Sequence, residues 1–468
     1  MKIIGKTKIE LKNVHTGKTE TIAEENMITD AIADLFSHNI EGMLFNMAGY
    51  TGDLNGNLIP ISRNAIGGIL LFSESITEDA KSYYAPSANP CVGYCSNDVN
   101  ATANVMRGSL NLTESKKLED GYKFVWDFTT SQANGTISCV ALTHKSGGVG
   151  YMGDEYSNTA KVWLMKSLST EADATERTAY LNAVEVNFEE NYFYTIGINT
   201  ENEVVIRKIK TSYRSIGLND TLTEKGLNIL DEQTITPTTF VMERPTNNSG
   251  YYDFFDGKNG YWYGFWNDSN SSGDASIKWI KIKKADCSFT EGTWTIKNAA
   301  LQAAGYRSGY NSSPSRQGRS VIRNGYLYMV SYDRTAVYKI NVDNQADVSK
   351  IDLGFTTNYS SPSASSSSGS VYMTLIGDWI VCSDFRIDSE DKVYHTANAM
   401  PFSYSGTPLF QYGPYLLSYG GYTYGSQSVK KNLFLLTPYL ASINNLSTAV
   451  IKTADKTMKI TYTVTETV

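Results

Sequence analysis

The sequence predicts a mostly β protein, with a small N-terminal α+β region followed by a β-propeller-like domain; a β-sandwich is the alternative. Three observations lead there. A unit of aromatic strand, polar turn and second strand recurs beyond residue 160. Tyrosine is abundant, with 32 residues beside 17 Phe and 7 Trp, and such rings pair well across strands. Charged residues are 19% of the chain against 41% hydrophobic, the balance of a folded protein that draws on Thr, Val, Ile and aromatics.

The first elements alternate. Ile9, Leu11 and Val14 precede a turn at Gly17, and Thr19 to Ile22 return as a second strand. A short helix over "ITDAIADLFSH" follows, with Asn26 or Thr29 as its cap and Ile28, Ile32, Leu35 and Phe36 as its apolar stripe. "AIGGILLFSESI" reads as a buried strand. Residues 80–110 are a long polar loop. "YKFVWDF" and "GTISCVALTH" then read as a hairpin around Asn134-Gly135, a strong turn signal.

The repeat has five copies. They begin as "ENYFYTIGINT", "KNGYWYGFWND", "RNGYLYMVSYD", "IGDWIVCSDFR" and "YGPYLLSYGGY", with anchor aromatics near Tyr192, Tyr261, Tyr326, Trp379 and Tyr415. The anchor spacing falls from 69 residues (192 to 261) to 36 (379 to 415), so the copies are degenerate. "GTWTIKN" and "VSKIDLG" supply a further strand to the second and third copies. Four-stranded units repeated radially protect their edges by closing a ring. The terminal stretch alternates at Met458, Ile460, Tyr462 and Val464, a last strand with one apolar face. The expected regions are therefore 1–80, a β-rich connection at 81–160, the propeller-like domain at 161–440, and closing strands at 441–468.

Charge and composition exclude several classes. Net charge is −7 with no basic arm, which argues against nucleic acid as a partner. No run of about 18 apolar residues exists, so no membrane insertion is expected. The N-terminus lacks the apolar run of a signal peptide, so synthesis in a cytoplasm is expected. The five cysteines, Cys91, Cys95, Cys139, Cys287 and Cys382, are odd in number, and the four histidines lie away from metal-ligand spacing. Reduced structural thiols are the expectation, with no metal and no cofactor. "DLNGN" at 53–57 and "NVDNQAD" at 341–347 lack the closing Glu of a calcium loop and read as Asx turns.

Three stretches carry a resemblance: "IELKNVHTGKTETIAEENMITDAIADLF", "GYKFVWDFTTSQANGTISCVALTH" and "IKTADKTMKITYTVTE". Together they resemble tail-fibre-like, receptor-binding structural proteins of phages and prophages of Gram-positive gut bacteria. The likeness covers about the first 150 and last 20 residues and rests on general sequence character rather than a sharp motif. It implies a virion component with an N-terminal particle-attachment part, other virion or tail proteins as partners, a homotrimer, and a variable part that meets the host surface. It carries over no catalytic residue.

The chain shows no GxSxG, HExxH or P-loop in a fitting context, and no enzyme activity is expected. Scattered carboxylates such as Asp253, Asp256, Asp384 and Asp388 keep a glycan-cleaving tail enzyme as an alternative. A purely structural neck or capsid fibre is the other. The leading expectation is recognition of a bacterial surface glycan or polymer without cleavage, because flat rings beside amides and glycines suit sugars. Two loops concentrate such residues. One holds Tyr251, Tyr252, Phe254, Trp262 and Trp266; the other holds Tyr404, Tyr412, Tyr419, Tyr422 and Tyr424.

Overall fold

A computed structural model describes residues 2–37, 65–89, 91–145, 161–167, 183–199, 201–210, 229–241, 253–267, 270–302, 320–357, 373–382, 384–395, 409–419, 430–436 and 439–467. The chain divides into two compact units. Met1–Phe45, Thr51–Leu164 and Phe434–Val468 form the first, and Met165–Leu433 form the bulk of the second. The second unit is thus an insertion into the first.

In the first unit, β1 (Lys2–Asn13) and β2 (Thr19–Ile28) make the expected hairpin around Gly17, whose φ of 71° suits glycine. Helix α1 (Asp30–Ser37) follows, burying Ala31 and Ile32. The two expected caps are used differently. Thr29 is buried, and its hydroxyl donates to the carbonyls of Leu440 (2.7 Å) and Ala441 (3.0 Å). The Asn26 amide donates to Thr7 Oγ1 at 2.8 Å. Next come β3 (Gly67–Phe72), buried along its whole length, β4 (Cys91–Cys95), β5 (Ser109–Leu110), β6 (Lys116–Lys117), β7 (Gly121–Phe128) and β8 (Gly135–His144).

Strand β9 (Lys161–Ser167) spans the boundary into the second unit. Blade one is β10 (Ala183–Asn187), β11 (Tyr192–Ile198), β12 (Val204–Lys210) and β13 (Ile229–Ile235). Blade two is β14 (Asp253–Asp256), β15 (Tyr261–Trp266), β16 (Ala275–Lys283) and β17 (Phe289–Ile296). Blade three is β18 (Ser320–Arg323), β19 (Tyr326–Val330), β20 (Ala336–Asn341) and β21 (Val348–Asp352). Blade four is β22 (Thr374–Ile376), β23 (Trp379–Val381), β24 (Phe385–Ile387) and β25 (Val393–His395). These four are uninterrupted antiparallel meanders. A fifth sheet joins β26 (Leu409–Tyr412), β27 (Tyr415–Tyr419) and β28 (Lys430–Leu436) to β9, which supplies its outer strand.

The first strands of successive sheets lie side by side, and β26 returns to β10, so the sheets form a ring rather than the two facing layers of a sandwich. Every anchor aromatic seen in the sequence, Tyr192, Tyr261, Tyr326, Trp379 and Tyr415, is the first residue of its blade's second strand. A left-handed residue stands in the turn ahead of each: Asn191, Gly260, Gly325, Gly377 and Gly413. Apolar residues of neighbouring blades fill the seams. Phe265, Ile277 and Trp294 of blade two pack with Leu327, Met329 and Ile340 of blade three. Burying each such side chain contributes about 1.5–3 kcal/mol.

The chain returns to the first unit as β29 (Ser442–Lys452) and β30 (Lys456–Thr467). The sheet order is β4-β3-β8-β29-β2-β1-β30-β7-β5, with β6 on β7. Segments expected as 1–80, 81–160 and 441–468 therefore contribute strands to one sheet. Its ends nearly meet: Tyr94 of β4 exchanges backbone hydrogen bonds with Met106 and Gly108 (2.9 Å each), directly ahead of β5. The result is an almost closed, barrel-like sheet. As expected, β30 buries Met458, Ile460 and Tyr462 on one face.

One sequence expectation fails here. β7 and β8 flank Asn134-Gly135 but do not pair, because β7 lies between β30 and β5 while β8 lies between β3 and β29. The intervening loop is held by other means. Ala133, at φ 50°, donates its N–H to Val105 O, Gln132 Nε2 donates to Arg107 O, and buried Lys452 donates to Thr130 O and Asn134 Oδ1. A turn-compatible dipeptide allowed a reversal, and the long-range partners of each strand decided the pairing.

Candidate functional site

The geometry of the ring brings together residues that lie far apart in sequence. In blades one to three, the second strand carries two tyrosines at alternate positions, Tyr192 and Tyr194, Tyr261 and Tyr263, Tyr326 and Tyr328. Alternate residues of a strand share a face. The second tyrosine of each pair stands directly opposite a lysine on the third strand: Tyr194 opposite Lys208, Tyr263 opposite Lys281, and Tyr328 opposite Lys339.

Each ammonium then reaches back over the first ring. Lys208 Nζ lies 3.8 Å from the Tyr192 centroid, Lys281 Nζ 4.4 Å from that of Tyr261, and Lys339 Nζ 4.6 Å from that of Tyr326. Cation–π attraction at such partly exposed sites amounts to about 0.5–1 kcal/mol. Tyr192, Tyr261 and Tyr326 are half-buried. Because they open their strands, they sit at the end of the blades where strands one and two, and three and four, are joined. This line of rings and cations is the candidate recognition surface.

Carboxylates from the following blade complete the pattern at two seams. Asp343 accepts from Lys281 Nζ at 2.7 Å. Asp391 accepts from Lys339 Nζ (2.5 Å), Arg323 Nη2 (2.8 Å) and the Tyr328 hydroxyl (3.0 Å). Burial disfavours the charged form of both lysines, but these carboxylates and the neighbouring tyrosines outweigh it and raise both pKa values. The seam between blades one and two is built otherwise. Lys284 bridges Glu185 (2.8 Å) and Asp256 (2.7 Å), and Glu185 also accepts from Trp262 Nε1 at 2.7 Å.

The residues singled out from the sequence separate. Trp262 is 2% exposed and belongs to the core between blades one and two, with Phe254, so its ring is not offered to a ligand. Both faces of β15 are packed: Trp262 faces blade one, while Tyr263, on the face of Tyr261, is 1% exposed in the core between blades two and three. Trp266 is half-buried at the end of β15 with Lys278 Nζ 5.3 Å from its ring. Tyr412 closes β26 and Tyr419 closes β27. Tyr251, Tyr252, Tyr404, Tyr422 and Tyr424 lie outside the described residues, as does the segment 53–57. The tyrosine–lysine pairing escaped sequence reading, although a tyrosine pair at alternate positions followed by a lysine after the turn is present in all three copies.

Other candidate groups have structural partners. Asp388 is buried and accepts from the backbone of Glu390 and Lys392 and from the Tyr394 hydroxyl. Asp384 is buried and accepts from Thr357 Oγ1 at 2.6 Å. In 341–347, Asn341 Oδ1 accepts from the backbone of Asp343 and Asn344, the Asx turn the sequence suggested. His395 stacks on Phe355 with centroids 3.8 Å apart, and His144 is buried against Tyr439. All five cysteines are free thiols; burial pushes Cys91 and Cys139 up to about 12. Among the described residues no three His, Cys, Asp or Glu side chains gather as metal ligands.

Comparison with known proteins adds little. No family model matches the chain, and no curated protein matches it. Among solved structures, the crystal structure of Citrobacter koseri AztD aligns over 86% of this chain and 97% of its own, at 10% identity and a TM-score of 0.23. Apo AztD from the same organism aligns over the same shares at 11% identity and a TM-score of 0.23. Likeness at that level carries no inference about this chain.

Proposed function

We propose that this chain is a virion fibre or receptor-binding protein of a phage of Gram-positive bacteria, acting outside the cell in which it is made. In this reading it recognises a surface glycan or polymer without cleaving it, assembles as a homotrimer, and attaches to other tail proteins. The observation that carries the reading is the line of half-buried tyrosines with lysines over their rings in blades one to three. Rigid rings with polar tips, flanked by cations, suit a polymer that presents apolar sugar faces and polar or charged groups in alternation. The sequence resemblance of the first 150 or so residues and the last 20 (449–468) to tail-fibre-like proteins points the same way.

The test is adsorption of the labelled, full-length protein to purified walls of Gram-positive gut bacteria, with sugar release followed in parallel. Saturable adsorption that is lost when wall polymers are stripped, with no release of reducing sugar, supports the reading. Release of sugar moves it to a cleaving enzyme. No adsorption to any wall leaves a purely structural virion role.

A further inference from the structure

The seam between blades one and two differs from the next two in one respect that points to a ligand. In blades three and four the turn joining the third and fourth strands faces the lysine of the blade before it. In blade four, Asp388 N donates to Lys392 O, Asp391 N donates to Asp388 O, and Asp391 is left-handed at φ 65°. In blade two, Lys283 N donates to Ser288 O, Cys287 N donates to Lys283 O, and Cys287 is left-handed at φ 56°. Cys287 and Asp391 are each the left-handed last residue of their turns, which enclose four and three residues. Both turns also lie toward the preceding blade. Asp391 meets Lys339 and Tyr328, while Cys287 packs in the cluster that contains Tyr194, the tyrosine opposite Lys208.

The consequence is chemical. At the third and fourth blades the protein's own carboxylates, Asp343 and Asp391 respectively, answer the lysine of the blade before. At the second blade a thiol stands there, and burial together with Asp231 and Asp286 raises its pKa, so it brings no negative charge. The other acids around Lys208 are differently placed. Glu185, opposite Tyr194, is taken by Lys284 and Trp262. Asp231, opposite Lys208 on the outer strand, is exposed and accepts from Gln233, and no ion pair joins it to Lys208 among the described residues. Lys208 itself is held over Tyr192, 3.8 Å from the ring centroid, at the half-exposed edge of the seam.

We propose that Lys208, with Tyr192 and Tyr194, binds a carboxylate of the ligand, of the kind carried by a uronic acid unit in an acidic polysaccharide. The ligand carboxylate takes the role that Asp391 plays at Lys339 and Tyr328: it accepts from the ammonium and from the Tyr194 hydroxyl. This inference deepens the reading above and rests on it for the polymeric nature of the ligand.

Titration calorimetry of the full-length protein with short oligogalacturonate, and with its methyl ester, tests it. The ester keeps the sugar rings and hydroxyls and removes the charge. The acid should bind at least about tenfold more tightly than the ester, the scale of one charge-assisted hydrogen bond. Lys208→Gln should erase that preference and Lys208→Arg should keep most of it. Cys287→Asp, which installs a carboxylate where blade four has one, should abolish binding of the acid without lowering the melting temperature. Equal binding of acid and ester overturns the site, as does a Cys287→Asp variant that binds like the parent. Failure of both probes to bind also overturns it; if wall adsorption persists in that case, the wider recognition reading stands without it.

Discussion

Asp391, from the turn of blade four, closes the seam to blade three by accepting from Arg323 of that blade at 2.8 Å, and Arg323 is 3% exposed on its side chain. The same guanidinium donates to the carbonyls of Asp378 and Ile387. One arginine thus ties together three segments of the ring, and one aspartate balances it.

Removing that aspartate should be costly. Asp391→Ala leaves a buried guanidinium and the Lys339 ammonium without their counter-charge, and breaking such a pair costs about 3–5 kcal/mol. Asp343→Ala breaks only a pair whose carboxylate is 60% exposed, and should cost less than about 1 kcal/mol. Urea denaturation of the two variants, measured side by side, checks the contrast.

Gly5 is a tight point of the barrel-like sheet. A Cβ there would lie 2.4 Å from Tyr462 Oη, which is buried and donates to Ser442 Oγ at 2.6 Å. Gly5→Ala should destabilise by about 1–3 kcal/mol. Tyr462→Phe should relieve part of that loss, so a double-mutant cycle should return a favourable coupling.

Burial holds Lys452 down at about 8, although its ammonium donates to Thr130 O and Asn134 Oδ1. In the unfolded chain a lysine titrates near 10.4. Between those values the unfolded state binds more protons than the folded one, so this residue makes stability rise as pH rises from about 8 towards about 10.4. Lys452→Met should remove that component from the pH dependence of the denaturation midpoint.

The ring was largely legible in the sequence. Tyr192, Tyr261, Tyr326, Trp379 and Tyr415 mark the second strand of each blade because that strand needs an aromatic next to a left-handed turn, and both features are local. What was not legible depended on long-range pairing. β9 completes a sheet with β28, more than 260 residues away, and nothing within Lys161–Ser167 announces it. β7 and β8 looked like a hairpin for the same reason. The candidate surface divided along these lines. The tyrosine pairs are local, but the partners that distinguish one seam from another, Asp343, Asp391 and Cys287, arrive from the neighbouring blade. Trp262 and Tyr261 are adjacent in sequence; Tyr261 opens the strand and is half-buried, while Trp262 and Tyr263 are packed between blades on opposite faces.

That separation gives a further expectation. Trp262→Ala should destabilise the fold by about 3–5 kcal/mol, with any loss of binding following from unfolding. Tyr192→Ala, at a half-buried surface ring, should change stability by about 1 kcal/mol or less. Thermal melting of the two variants distinguishes a core ring from a face ring.

In the proposed function, the tyrosine–lysine line of blades one to three contacts a bacterial surface polymer. The most direct measurement compares wall adsorption of the parent with that of a Tyr192→Ala, Tyr261→Ala, Tyr326→Ala variant, alongside a Tyr422→Ala, Tyr424→Ala variant and the melting temperature of each. The first variant should keep a cooperative melt and lose adsorption by about tenfold or more, the scale of one or two lost aromatic hot spots. Adsorption equal to the parent in that variant, with its fold intact, would contradict the claim.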